Sequence, residues 1–119
     1  MKTDKFETQI ETLLDNITEK YYSWSSSSKY FDGEKVATFR NGMQIKPGRK
    51  WSKITTTSGI QERVWGFVAN SNGVHKGLPF NEGDVFMAAS WRAPAKHVRG
   101  SIYDTNTDWF SWTGPNGIR

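Results

Sequence analysis

The chain has 119 residues, no cysteine and a net charge of +4. That length fits one domain with its own core. The missing cysteine removes disulfides, thiol catalysis and cysteine-ligated zinc, and no run of about 18 apolar residues offers a membrane span, so a cytoplasmic domain is expected.

Taken in chain order, residues 4–22 carry Phe6, Ile10, Leu13, Leu14, Ile17 and Tyr21 at helical spacing. One apolar face and one charged face predict an amphipathic helix that docks on a sheet or on a second subunit. Its acidic outer face argues against an anionic membrane surface. Residues 23–35, "SWSSSSKYFDGEK", read as a loop on their serine run and Asp-Gly pair. They divide a helical arm (1–34) from a β-rich body (35–119).

The body opens with a predicted strand at 36–40, an Asn-Gly hairpin turn at 41–42 and a return through 43–45. Pro47-Gly48 breaks the chain. Residues 49–57 are rich in β-branched side chains, Ser58-Gly59 makes a turn, and 61–69 alternates Val64, Gly66 and Val68 against Trp65 and Phe67. A long connection at 70–83 precedes a strand at 84–90. Residues 93–100 read as a short helix, with Pro94 in its first turn and Gly100 at its C-terminal cap. Residues 101–104 suit a further short strand, and the tail is aromatic and glycine-rich. The expected class is α+β: an N-terminal amphipathic helix, an antiparallel sheet of about five strands and a short C-terminal helix.

Charge follows this division. Residues 1–34 hold four Lys against seven acids, net −3; residues 35–99 hold eleven Lys or Arg against Glu62, Glu82 and Asp84, net +8. A basic body favours anionic partners. Catalysis is poorly provisioned: there are two histidines and no thiol, no metal-ligand spacing, and neither a Walker loop nor a dinucleotide fingerprint. A non-enzyme without cofactor or metal is expected.

Binding groups are plentiful. Arg40, Arg49, Lys50 and Lys53 fall on the first strands; on a helix Arg92, Lys96 and Arg99 would share one face. Guanidinium forks match phosphates, and aromatic rings stack on bases. Trp51, Trp65, Phe86, Trp91 and Tyr103 are interleaved with the cations. Trp65 and Phe86 are expected in the core. Trp91 either staples the helix to the sheet or faces a ligand. Arg99 either binds an anion or pairs with Asp104, and His97 either caps the helix or donates to a phosphate.

Four segments carry a family pattern: Gly48-Arg49-Lys50-Trp51, Trp65-Gly66-Phe67-Val68, Gly83-Asp84-Val85-Phe86 through Trp91, and Pro94-Ala95-Lys96 followed by Arg99-Gly100 and Ile102. Over residues 48–104, with 83–104 the most specific part, the chain resembles the type 1 Thoeris anti-defence proteins of phages. Phe86-Met87 stands where a Tyr-Lys pair is expected, and the 70–83 loop is longer than usual. The resemblance implies a sponge that binds cyclic ADP-ribose isomers, and in some members cyclic oligonucleotides, without cleaving them. It also implies dimers or higher homo-oligomers with pockets between protomers, working in the cytoplasm of the infected bacterium. On this reading Arg49 and Arg99 hold the pyrophosphate with Lys96 or His97 assisting. Trp91, Phe80 or Tyr103 stacks on adenine, and Asp104 or Asn81 binds ribose. The alternative is a small protein that binds single-stranded nucleic acid.

Overall fold

A computed structural model describes residues 4–26, 33–58 and 60–115. Nine elements follow in order: α1 (Asp4–Ser26), α2 (Gly33–Asn41), β1 (Gln44–Pro47), β2 (Trp51–Ser58), β3 (Gln61–Ala69), β4 (Gly73–His75), β5 (Leu78–Phe80), β6 (Asp84–Ala88) and β7 (Pro94–Ser101). Five of the strands form one antiparallel sheet in the order β1-β2-β3-β6-β7, and β4 pairs with β5 in a separate hairpin. The fold is α+β, as the residue pattern predicts.

The predicted periodicity of α1 is realised. Phe6, Ile10, Leu13, Leu14 and Ile17 are all buried and share a core with Ile54, Val68 and Val85 of the sheet. The acidic arm is therefore one wall of the domain's core. Its outer residues Glu7, Glu11, Asp15 and Glu19 are exposed. Residues 27–32 of the predicted Ser-rich loop and 116–119 of the tail lie outside the described residues.

The predicted strand at 36–40 is instead the body of α2. Glu34 in the first turn and Arg40 in the last complement the helix dipole, and Phe39 is buried against Tyr21. Arg40 bridges Glu11 and Asp15 of α1 at 3.1 and 3.3 Å. The Asn41-Gly42 pair ends this helix and makes no hairpin: the Gly42 amide donates to the Thr38 carbonyl at 2.9 Å. A methyl group on Gly42 would lie 3.2 Å from Thr57 Cβ, so glycine lets the helix end sit on β2.

A bulge between Ile54 and Thr55 breaks the strict alternation expected along 61–69. Trp65 is thereby turned to the α1 side with Val68, whereas Val64 joins Phe67 on the opposite side. The C-terminal segment closes over this α1 face, where Trp65 Nε1 donates to the Ser111 carbonyl at 3.0 Å and Phe110 meets Trp65 edge-on.

The long connection 70–83 folds into the β4–β5 hairpin. Its turn is Lys76-Gly77, both at positive φ (51° and 83°), the geometry of a two-residue primed turn. The hairpin lies over one end of the sheet face opposite α1. Phe80 packs against Trp51 and Phe86, and the His75 ring meets both of those residues edge-on.

The predicted helix at 93–100 is instead the edge strand β7 (Pro94–Ser101); the short helix of this fold is α2. Pro94 opens the strand at an edge, where a missing amide is tolerated, and Val98 and Gly100 pair with Phe86 and Val85 across two irregularities. Gly100 has a different task from capping. Its Cα lies under the Trp109 ring, which a side chain there would strike. Of the predicted strand 101–104, Ser101 ends β7 opposite Asp84 and the chain then turns at 102–103.

Candidate functional site

The sheet face opposite α1 is the basic one. Register places Lys46 of β1 across from Lys53 of β2, and Lys53 across from Phe67 of β3. Like charges directly opposite one another are unfavourable, so their surroundings matter. The segment 89–93 turns back on itself, with the Ala89 and Ser90 amides both donating to the Ala93 carbonyl at 2.9 and 3.2 Å. That turn carries Trp91 over the sheet. Lys53 Nζ lies 4.1 Å from the indole centroid and Lys46 Nζ 5.4 Å. Trp91 stays 45% exposed, a large area for an indole not needed by the core. Arg92 brings a third cation close enough to act on Lys53.

Among the described residues one carboxylate is paired with this group. Lys46 Nζ lies 3.0 Å from Glu62 Oε2, and the buried Thr55 hydroxyl donates to the same oxygen at 2.8 Å. These two hydrogen bonds hold the Glu62 carboxyl below its ordinary value. Lys53 is shifted down as well: partial desolvation is the first cause, repulsion from Lys46 and Arg92 adds to it, and Glu62 opposes it. An arriving anion would relieve that repulsion. Farther along the same face Lys50 Nζ sits 5.4 Å from the Trp51 ring and 5.6 Å from Phe80, and donates to the Val74 carbonyl at 3.3 Å.

The residues expected from the sequence do not form one site. Trp91 joins the cation cluster. Phe80 is buried in the second core, closed to a stacking ligand. Lys96 and His97 are exposed on β7 and line a shallow hollow of about 250 Å3 with Leu78 and Pro79. As part of a strand, Arg92, Lys96 and Arg99 do not share a helical face. Arg99 is half-buried on the edge strand β7, and Arg49 is exposed in the β1–β2 turn. Three strand spacings, about 14 Å, separate β2 from β7, so the two arginines stand on different parts of the sheet.

Asn81, Tyr103 and Asp104 gather around the Gly83 turn. The Asn81 amide donates to Asp84 Oδ2 at 2.8 Å, and the Ser101 amide donates to Asp104 Oδ2 at 3.0 Å. The Tyr103 hydroxyl donates to Glu82 Oε2 at 2.8 Å. Burial and that acidic partner push the Tyr103 phenol up to about 12. With Glu82, Asp84 and Asp104 together, this corner suits hydroxyls and amides better than phosphates.

Lys46 is the functional candidate missing from the sequence reading. Its signal is the pairing of "KPGRKWSK": a hairpin centred on residues 48–51 puts Lys46 opposite Lys53. Centring the hairpin on Asn41-Gly42 hides that pair.

The chain belongs to a family of unknown function (DUF7717), whose profile matches residues 2–114. No curated protein and no solved structure matches it. Among the described residues no helix is long and apolar enough to cross a membrane.

Proposed function

We propose that this DUF7717 protein is a non-catalytic binder that sequesters a small anionic nucleotide. In its finer form the proposal follows the sequence resemblance. The ligand is a cyclic ADP-ribose isomer or a cyclic oligonucleotide, and its capture in the cytoplasm of an infected bacterium blocks Thoeris-type antiviral defence. The observation that carries the reading is the half-exposed Trp91 indole with the Lys53 and Lys46 ammonium groups over its ring and Arg92 close enough to act on Lys53. An indole face stacks on a base for about 1–3 kcal/mol. Ammonium and guanidinium groups beside it meet the phosphates.

Two further observations support it. Three carboxylates of the body are occupied in hydrogen bonds: Glu62 with Lys46 and Thr55, Glu82 with Tyr103, and Asp84 with the Asn81 backbone amide. That leaves little for acid–base chemistry. Arg49, in the β1–β2 turn, and Arg99, on the edge strand β7, are well separated along the sheet, an arrangement that suits a ligand shared across a protomer boundary and so a homo-oligomer.

A second reading rests on the openness of the face. Lys53 over Trp91 and Lys50 over Trp51 make two cation–aromatic pairs on one unclosed surface, a form that suits single-stranded nucleic acid. The two readings separate cleanly. The protein is mixed with a cyclic ADP-ribose isomer, filtered, and the retained fraction heated. Retention followed by release of intact ligand, lost on Trp91→Leu, supports the sponge. Free passage of the cyclic nucleotide, with retention of a single-stranded oligonucleotide that weakens steeply with salt, overturns it for the second reading. Conversion of the ligand overturns the non-catalytic assignment.

A further inference from the structure

A second recognition surface lies away from Trp91, where the C-terminal end of α1 meets α2, the end of β2 and the start of β3. It is a hollow of about 560 Å3, within the range of about 300–1,000 Å3 usual for small-molecule sites. Its walls are aromatic. Tyr21 stacks on Phe39 at 4.3 Å and 6°, and Trp112 meets that pair edge-on at 5.3 Å from Tyr21. Trp24 leans on Trp112 at 4.9 Å and 42°, yet is 57% exposed. Lys35 of α2 and Arg63 of β3, both exposed, line it together with Thr38, Thr56 and Thr57, and no carboxylate lines the hollow among the described residues.

We propose that this hollow is a second ligand site, independent of the Trp91 face, for a flat heteroaromatic ring that carries an anionic group. The ring lies on Trp24 and the anion sits between Lys35 and Arg63. Each part of the lining restricts the occupant. The indole offers a broad face to any flat ring, whatever its substituents. Two cations with no acid among them reject a cationic ligand. A neutral apolar ligand would desolvate both cations and offer them no partner. The guanidinium fork of Arg63 matches a phosphate or carboxylate in two places. The cations come from different elements, and buried Phe39 fixes α2 against α1 and the sheet, so the spacing of the rim is set before the ligand arrives. A nucleoside monophosphate has the required chemistry.

Adenosine 5′-monophosphate is a suitable probe. The six tryptophans give six indole N–H signals in a nitrogen-15 spectrum of the full chain, assigned by single Trp→Phe variants. Saturable movement of the Trp24 and Trp112 signals is expected, with adenosine and inorganic phosphate each binding at least about tenfold more weakly. Trp24→Ala and Arg63→Gln, both on exposed side chains that leave the fold intact by circular dichroism, are each expected to weaken binding about tenfold. The Trp91 signal reports the other face in the same titration, so failure at one site is seen apart from failure at the other. Immobile Trp24 and Trp112 signals at millimolar nucleotide overturn the proposal. So does equal affinity for adenosine, or unchanged affinity in Arg63→Gln. Movement of both signals on raising protein concentration alone assigns the hollow to a second copy of the chain, and overturns it as well.

Discussion

Gly100→Ala tests whether residues 93–100 are a strand. In β7 the glycine is buried and lies beneath Trp109, so an added methyl group runs into the indole ring. Trp109 has little freedom to retreat. Its Nε1 donates to the Asn106 carbonyl at 2.9 Å, and its ring meets Phe110 at 4.6 Å and Trp65 at 6.5 Å. Overpacking of this kind costs about 1–3 kcal/mol, or a fall in Tm of about 4 °C per kcal/mol at this chain length. The assay is urea unfolding followed by far-UV circular dichroism, because tryptophan emission is itself altered. The control is Trp109→Ala, which removes the obstacle. In that background Gly100→Ala should cost nothing or stabilise by about 0.4–1 kcal/mol through the unfolded chain. A coupling of about 1–3 kcal/mol follows between the two positions. A helix-capping glycine would show the same cost with and without Trp109. Equal costs in the two backgrounds, or a silent Gly100→Ala, would refute the packing argument.

The cation cluster yields two further expectations. Lys53→Gln should raise stability slightly near neutral pH while weakening nucleotide capture. Its folded-state pKa is depressed by desolvation and by Lys46 and Arg92, so its charge opposes folding, and that penalty fades as pH rises through the window below 10.5. Parallel melts and filter retention read both effects, and a variant that is less stable than wild type and still captures ligand contradicts the assignment. Glu62→Gln should tighten anion capture, because the carboxylate that pairs with Lys46 is gone and Thr55 still finds an acceptor. Its folded pKa lies below the ordinary 4.5, so its contribution to stability is present above that value and lost as pH falls through the folded pKa. The stability gap between variant and wild type should therefore close as pH falls from 4.5 through the lower folded-state value; a gap constant with pH removes the ionic explanation.

Long, strongly periodic segments were legible, and short ones were decided by partners that the sequence does not name. The face of α1 was readable because five apolar residues recur over three turns. Residues 36–40 are a β-branched and aromatic run ending in Asn-Gly, which locally favours a hairpin; packing of Phe39 on Tyr21 and the Arg40 contacts with α1 make them helical. Pro94 and Gly100 bracket a helix and an edge strand equally well. Pairing with β6 chooses the strand and disperses the cations that a helix would have aligned. Trp91 was recognisable as a candidate, but its cationic neighbours depend on cross-strand register, which a misplaced turn obscures. Lys35 and Arg63 lie 28 positions apart and line one hollow only through the docking of α2, so no local pattern announces it.

The open face also bears on why the cluster exists. A sheet that needed only to fold would gain by separating Lys46 from Lys53, since cross-strand like charges cost stability. Here the register sets them opposite each other, and the 89–93 turn brings Arg92 and an incompletely buried indole to the same point. Glu62 compensates for one charge of three. Any bound anion therefore removes repulsion already present in the folded chain, as well as making new contacts. Because the unfolded chain has no such arrangement, ligand stabilises the fold by RT ln(1 + [L]/Kd), about 2.7 kcal/mol at a hundredfold excess over Kd. Heat release and ligand-dependent melting are then two views of one equilibrium: the ligand is let go when the register that crowds the cations is lost.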